Sequence, residues 1–392
     1  MNLRVDWPSR GHGYTEEEIQ AVGQVMRASG QALTNGPIVH RFEEAFAEYI
    51  GVKRAFSTMS CAHALDISAM LAGIEPGDEI VIPAHTYCAS ALAFARRGAV
   101  IRWADLDPHS LTMAPDSLRR LCNDKTKAVV LVHLYGLLSP HVEWIAEFCE
   151  QQGVVLIEDC AQAVGSQLRE KHCGTFGDIG CYSFHAQKNL TTLGEGGMLV
   201  VKHAKWADKV PGLRLNGHAQ FTNQTEYWLP AMGNVDLDIE GMWPIKSTMN
   251  EVQAAVGELV LGRLDALTAQ RRARGMAFRE AMREFPELVF QSIHTPEAHS
   301  HHLLPARYDG KHGRDALIRM LSTEYSIKAI IQYYPLNRYD LFRKSGHGHA
   351  DVPETDRFFD TMVSFPFSME INDADFCYMI ESVRSALCRL RR

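Results

Sequence analysis

Between residues 50 and 205 the chain is punctuated by short, almost uninterrupted runs of apolar and β-branched residues. They are Glu79–Pro83, Ala99–Trp103, Ala128–His133, Val154–Glu158, Gly180–Phe184 and Gly197–Lys202. A strand with one wet face alternates apolar and polar residues; a continuous run marks a strand buried on both faces. Such strands need helices above and below them, and segments such as Ser139–Gln152 between the runs carry helical spacing. The pattern predicts an α/β fold on a largely parallel sheet.

Other local signals punctuate this frame. Thr15-Glu16-Glu17-Glu18 is a capping box ahead of Ile19, Val22, Val25 and Met26, so a helix starts there. Asn35-Gly36-Pro37 marks a turn. A further helix begins near Asn250, where Val252, Ala255, Val256, Leu259 and Val260 trace one apolar face. At 392 residues the chain is long enough for more than one domain. The helix near Asn250 therefore suggests a large part over residues 1–250 and a smaller α+β part over 251–392.

Chemistry gathers where the runs end, which is where an open α/β sheet presents ligands. Val154–Glu158 leads into Asp159-Cys160-Ala161-Gln162, and a carboxylate at a buried strand end is costly unless it meets donors or a cation. Between the last two runs lies Ser183-Phe184-His185-Ala186-Gln187-Lys188-Asn189, followed by the glycine-rich Gly194–Gly197. A partly desolvated lysine there is a candidate Schiff-base former, because burial frees its amine. Together with an aspartate that holds a pyridine nitrogen protonated, it would suit pyridoxal phosphate. Read from these residues alone, the lysine fits a solvated loop residue as readily, and the glycines fit an ordinary turn.

Charge and composition remove other classes. With 40 Lys+Arg against 47 Asp+Glu, the chain has a net charge of −7 and lacks the basic footprint of a nucleic-acid binder. Met1–Tyr14 has no apolar core, so no secretory signal is expected, and no run approaches the length of a membrane span. Nine cysteines, without Cys-x-x-Cys spacing, read as reduced thiols packed as small hydrophobes in a cytoplasmic protein. None of the 18 histidines has a metal-ligand spacing, so no metal is expected. His299 with His301 and His302, or His347 with His349, could bind a metal adventitiously, but they read as surface-loop residues.

Glu158-Asp159-Cys160-Ala161-Gln162-Ala163, Ser183-Phe184-His185, Lys188-Asn189-Leu190 and Gly194-Glu195-Gly196-Gly197 together resemble the signatures of the DegT–DnrJ–StrS family of sugar aminotransferases. Further matching segments stand in family order: Phe42-Glu43, Phe46-Ala47, Tyr49 and Gly51; Gly73–Ile80 before Val81-Ile82-Pro83; Thr86–Ser90; Val132–Gly136; and Gln253-Ala254-Ala255. The resemblance covers roughly residues 13–370. It implies the fold of type I pyridoxal-phosphate enzymes and a homodimer with active sites at the subunit interface.

Residue by residue, the resemblance makes Lys188 the Schiff-base lysine and proton carrier, and Asp159 the partner of the pyridinium nitrogen. Gln162 would sit near the ring's phenolic oxygen, Tyr87 would stack on the ring, and Ser183 would bind phosphate. His185 is expected to face substrate or to hold the loop by a hydrogen bond. Two departures stand out. Where the family has Ser-Gly-Thr before a helix, this chain has Ser60-Cys61-Ala62, so backbone amides and Ser60 must hold the phosphate without a threonine hydroxyl. Where the family has an asparagine reaching the partner subunit's phosphate, this chain has Lys246, which could meet that phosphate, an acidic substrate or solvent. Near the acceptor, Tyr333 of Gln332-Tyr333-Tyr334-Pro335 replaces the family's histidine.

The implied activity is transfer of an amino group from L-glutamate, or L-glutamine, to a keto-sugar. The acceptor would be a nucleotide-linked keto-hexose or a free keto-sugar acid such as an 8-keto-octulosonate; a keto-inositol is also compatible. The setting would be amino-sugar, lipopolysaccharide or secondary-metabolite biosynthesis. Two rivals share the fold: a sugar dehydratase, in which histidine replaces the lysine, and a non-catalytic regulator. Lys188 and Asp159 argue against both.

Overall fold

A computed structural model describes residues 3–28, 33–218 and 239–392. At its centre is a seven-stranded sheet: β1 (Ala55–Thr58), β2 (Glu79–Pro83), β3 (Val100–Ala104), β4 (Thr126–Val132), β5 (Val155–Asp159), β6 (Ile179–Ser183) and β7 (Gly197–Val201). The spatial order is β1-β7-β6-β5-β4-β2-β3. Neighbours from β3 through β6 run parallel, whereas β7 is antiparallel to both β6 and β1. The six runs read from the sequence are all strands; Glu79–Pro83 coincides with its strand, and the ends of the others differ by at most two residues.

The continuous apolar runs fill two cores at once. Successive side chains alternate across a strand, so Ile80 and Ile82 join a cluster with Leu65 of helix α3 (Cys61–Leu71), while Val81 points to the opposite face. There it packs in a second cluster with Phe42 and Phe46 of α2 (Pro37–Ile50). Each such side chain contributes roughly 1.5–3 kcal/mol of burial. β1 was not anticipated, because Ala55-Phe56-Ser57-Thr58 is short and half polar; all four residues are nonetheless buried.

Caps follow the sequence at one helix and depart from it at another. In α1 (Glu16–Arg27) the Thr15 hydroxyl accepts from the Glu18 amide, and the Glu18 carboxylate accepts from the Thr15 amide, as the capping box predicts. α2 follows Gly36, which has no side chain to cap it. The carboxylate of Glu251 does so instead, accepting the amides of Gly36, Ile38 and Val39 at 2.9, 2.9 and 3.1 Å. Glu251 opens α4 (Glu251–Gly262), whose own cap is Asn250. α4 packs on α1 and α2, and after Arg263 a second helix, α5 (Leu264–Ala281), carries the chain on.

Beyond α5, a three-stranded antiparallel sheet holds β8 (Leu288–Phe290), β9 (Leu304–Tyr308) and β10 (Met362–Phe365). With helix α6 (Asp373–Leu390) it encloses a third cluster around Phe278, Phe365 and Val383. All nine cysteines are free thiols. Among the described residues no helix is long and apolar enough to cross a membrane.

Candidate active site

Four parallel strands end on one edge of the sheet, and the segments after β2, β4, β5 and β6 meet there around a cavity of about 400 Å³. Ser60, Cys61, Ala62, Tyr87, Asp159, Gln162, Ser183, His185, Lys188 and Tyr333 all line it. The sequence placed these residues over a span of 274 positions, and the fold gathers every one. Lys246 is the exception. It lies exposed beside Leu215 and does not line the cavity. Its neighbour Ser247 is buried against the loop before α3, accepting the Met59 amide at 3.1 Å.

Asp159 closes β5 with each carboxylate oxygen accepting one close hydrogen bond. Oδ2 accepts from the Ser90 hydroxyl at 2.7 Å, and Oδ1 from the Ala161 amide at 3.0 Å. The Cys61 thiol lies 3.9 Å from Oδ1. Glu158, one residue earlier, points the other way and is fully enclosed. It accepts the amides of Gly174, Phe176 and Gly177 and meets His133 Nε2 at 2.8 Å. His133, Glu158 and Cys160 stand close enough to hold an ion, but these hydrogen bonds use the carboxylate's lone pairs.

Lys188 is half-buried in the cavity wall. Burial lowers its ammonium pKa, against the opposing influence of Asp159 and Cys61. Its Nζ lies 3.4 Å from His302 Nε2. His185 is also half-buried, its Nδ1 accepting the Gln187 amide at 3.3 Å, and burial holds its pKa below the ordinary value. Ser183, at the end of β6, accepts the His185 amide through Oγ at 3.4 Å.

The opposite end of the cavity is the N-terminus of α3. Ser60 caps it, accepting the His63 amide. The helix start sits directly on β7, where a Cβ at Gly197 would come within 2.5 Å of the Ser60 carbonyl carbon. Only glycine permits that approach. The exposed amides and partial positive charge of a helix N-terminus suit a phosphate.

A third wall is aromatic. Tyr333 lies parallel to Tyr135, with an interplanar angle of 3°, and edge-on to Tyr87 at 6.1 Å. Gln162 is fixed between them: its Oε1 accepts the Tyr135 amide at 2.7 Å, and its Nε2 donates to the Tyr333 hydroxyl at 3.1 Å. The Tyr333 hydroxyl is pushed above its ordinary pKa by burial and by Asp159, so it stays protonated. Tyr87 is 57% exposed and stands at the cavity mouth.

Sequence reasoning missed several members. Ser90 holds Asp159, and its signal was the Thr86–Ser90 hydroxyl pair one helical turn apart (3.1 Å). Gln332 lines the cavity with Oε1 buried and unpartnered among the described residues. The histidines of the 299–302 segment are a correction. His299, His301 and His302 are not surface-loop residues but are 2%, 2% and 4% exposed. Buried guanidinium-to-carbonyl bonds from α5 draw the segment inward. His347 is half-buried against β3, whereas His349 is exposed.

A half-buried lysine, a half-paired aspartate and a helix N-terminus share one cavity at the carboxyl ends of a parallel sheet. That donor set fits pyridoxal phosphate: a dianion at α3, a pyridinium at Asp159 and an aldehyde at Lys188. It defines the class as a pyridoxal-phosphate-dependent aminotransferase. The chain belongs to the DegT/DnrJ/EryC1/StrS aminotransferase family, whose profile matches residues 13–384. It is 32% identical over 374 residues to the spore coat polysaccharide biosynthesis protein SpsC of Bacillus subtilis, covering 94% of each chain. It is 36% identical over 241 residues, 61% of each, to GDP-perosamine synthase of Caulobacter vibrioides. The crystal structure of aminotransferase TlmJ from Streptoalloteichus hindustanus superposes with a TM-score of 0.88 at 31% identity, over 98% of this chain and 100% of that one. The fold is that of pyridoxal-phosphate aminotransferases, and the family acts on sugars.

Proposed function

We propose that the protein transfers an amino group from L-glutamate to a nucleotide-linked keto-hexose. The juxtaposition of Lys188, Asp159 and the α3 N-terminus in one cavity carries this reading. Pyridoxal phosphate, when bound, supplies an aldehyde and an electron-accepting ring. Lys188 is the residue that bonds to it and afterwards holds the proton that leaves and returns at the substrate carbon. Burial lowers its pKa and so favours the free amine that both tasks need. Asp159 keeps the ring nitrogen protonated, and Ser90 and the Ala161 amide fix that carboxylate's direction. The amides of Cys61 and Ala62, with Ser60 and Ser183, hold the phosphate. Gln162 would meet the cofactor's phenolic oxygen, Tyr87 would cover its ring, and His185 and Tyr333 would face the acceptor.

The acceptor class is supported by the relative named GDP-perosamine synthase, and a biosynthetic role in amino-sugar or cell-surface polysaccharide formation by the relative named for spore coat polysaccharide. A homodimer in the cytoplasm belongs to the same reading. Tyr87 and the 87%-exposed Trp243 leave apolar surface for a second copy, and Lys246, outside this chain's own cavity, would then serve the partner's phosphate. So does a division of labour, with residues 1–250 handling the cofactor and 251–392 closing over the acceptor; α4, in the second part by number, packs on the first.

The test is transfer from ¹⁵N-labelled L-glutamate to a panel of nucleotide-linked keto-hexoses and free keto-sugar acids. The expected result is ¹⁵N on a nucleotide-linked sugar, reduced by roughly 10²–10⁴-fold or more in Lys188→Ala, with the visible cofactor band lost. Transfer only to a free sugar acid changes the acceptor class. No transfer to any keto-sugar overturns the reading.

A further inference from the structure

One buried imidazole touches the reactive lysine and has no place in the scheme above. His302 is 4% exposed and directs Nε2 at Lys188 Nζ, 3.4 Å away. Its other ring nitrogen, Nδ1, is buried and has no partner among the described residues. Polar atoms in this state are uncommon in folded proteins and call for an explanation.

The surrounding structure is built to hold this ring where it is. Arg271, itself 1% exposed, donates Nε to the His301 carbonyl at 2.9 Å, one Nη to the His302 carbonyl at 2.8 Å and the other to the Gly11 carbonyl at 3.0 Å. All three acceptors are backbone carbonyls. The guanidinium thereby fastens the 301–302 segment, together with the N-terminal segment that crosses the lysine loop, where the Gly11 amide donates to the Ala186 carbonyl. On the same helix, Gly275 clears the ground. A Cβ there would come within 2.2 Å of the His301 ring. His301 packs tilted against His299 with centroids 4.1 Å apart, and next to its left-handed backbone (φ 49°) His302 reaches Lys188, lining with it, Gln332 and Tyr333 a small pocket of about 40 Å³ beside the main cavity.

We propose that His302 is a positioning residue for Lys188, donating from Nε2–H to the uncharged amine and aiming its lone pair into the cavity. This rests on the reading of Lys188 as the cofactor-binding lysine. The tautomer follows from the unpartnered nitrogen. If Nδ1 carried the proton, a buried N–H would have no acceptor; with the proton on Nε2, only a lone pair is left over, the more tolerable deficit. A donor at Nε2 can pair with a lysine amine but not with an ammonium, which has no lone pair. Burial keeps His302 neutral, with Lys188, Arg271 and His185 adding repulsion, and burial pulls Lys188 toward the free amine. The charged and titratable groups facing the pair are Asp159 and Cys61, which favour the lysine ammonium, and Arg271 and His185, which oppose a charged His302 ring; Glu195 in turn faces His185.

Two measurements on the full-length protein stripped of cofactor test the proposal. In ¹⁵N-imidazole NMR at pH 7–8, His302 is expected as a neutral Nε2–H tautomer; an Nδ1–H tautomer or an imidazolium overturns it. Separately, labelling of Lys188 by trinitrobenzenesulfonate, quantified by peptide mass spectrometry against pH, reads the amine directly. His302→Phe keeps the ring but removes the donor, and should raise the labelling midpoint by about one pH unit, a tenfold loss of reactivity below it. His302→Gln retains an N–H near the Nε2 position and should keep the wild-type midpoint. A midpoint unchanged or lowered in His302→Phe, or raised equally in His302→Gln, sinks the idea. Should His302→Phe not fold, the NMR tautomer and His302→Gln still decide. Neither readout uses cofactor or sugar, so they stand apart from any failure of transamination.

Discussion

Glu158 and Asp159 are neighbours at the end of one strand, both carboxylates and both buried, yet they do opposite work. Alternation along β5 sends Glu158 into a closed network of four donors and Asp159 toward the cavity with only two close ones. A carboxylate offers about four lone-pair positions. Glu158 has filled them and can only stabilise the fold, holding the 174–177 turn and His133. Asp159 retains unfilled capacity on the face it shares with Lys188. Burial alone therefore does not mark a functional acid; unspent hydrogen-bonding capacity beside a cavity does.

Substitutions that remove charge but keep shape separate the two. Asp159→Asn should lower the rate of amino transfer by about 10²-fold or more, the scale of losing one aligned electrostatic partner, while thermal unfolding moves little. Glu158→Gln should do the reverse. It loses charge-assisted hydrogen bonds worth roughly 1.5–3 kcal/mol in all, seen as a melting point lower by several degrees with the per-molecule rate preserved. If Glu158→Gln abolished activity in folded protein, the division between the two carboxylates would fail.

Acid tests both sides of the comparison together, through stability rather than rate. His85, in the cavity wall's hydrogen-bond network, and His301, behind it, are both pushed down to about 3 by burial. Unfolded histidine titrates near 6.5, so between those values the unfolded chain binds the extra protons. Stability is then fully present above about pH 6.5 and is lost as pH falls toward 3, by up to about 1.4 kcal/mol per pH unit for each histidine. Urea unfolding at pH 8, 6 and 5 measures the slope; a flat profile would place these rings in water.

Much of the fold was legible because both-face burial leaves a blunt trace: six uninterrupted apolar runs became six strands. β1 left no such trace, since Ser57 and Thr58 are buried through specific contacts, Ser57 by hydrogen bonds to Glu43. The site's centre was legible as well, the residues of the family motifs lining one cavity. What escaped was set by distant partners. The 299–302 histidines looked solvated because their residue type usually is; Arg271 and Arg272, about 30 positions upstream, hold their backbone carbonyls in the interior. Ser90 stood inside a quoted motif, but its acceptor lay 69 residues away.

The cap on α2 extends this dependence on distance to the order in which the protein can be completed. Glu251 is joined to Gly36 across 215 residues. A ribosome emits all seven strands of the main sheet before it makes this carboxylate. Until then the first turn of α2 has neither a side-chain cap of its own nor the one it is destined to receive. Chain closure over such a span adds only modestly to the entropic cost, but it fixes a sequence in time: the sheet can assemble during synthesis, whereas α2 gains its final anchor only as α4 emerges. α2 thus takes its cap from a residue made after the whole sheet.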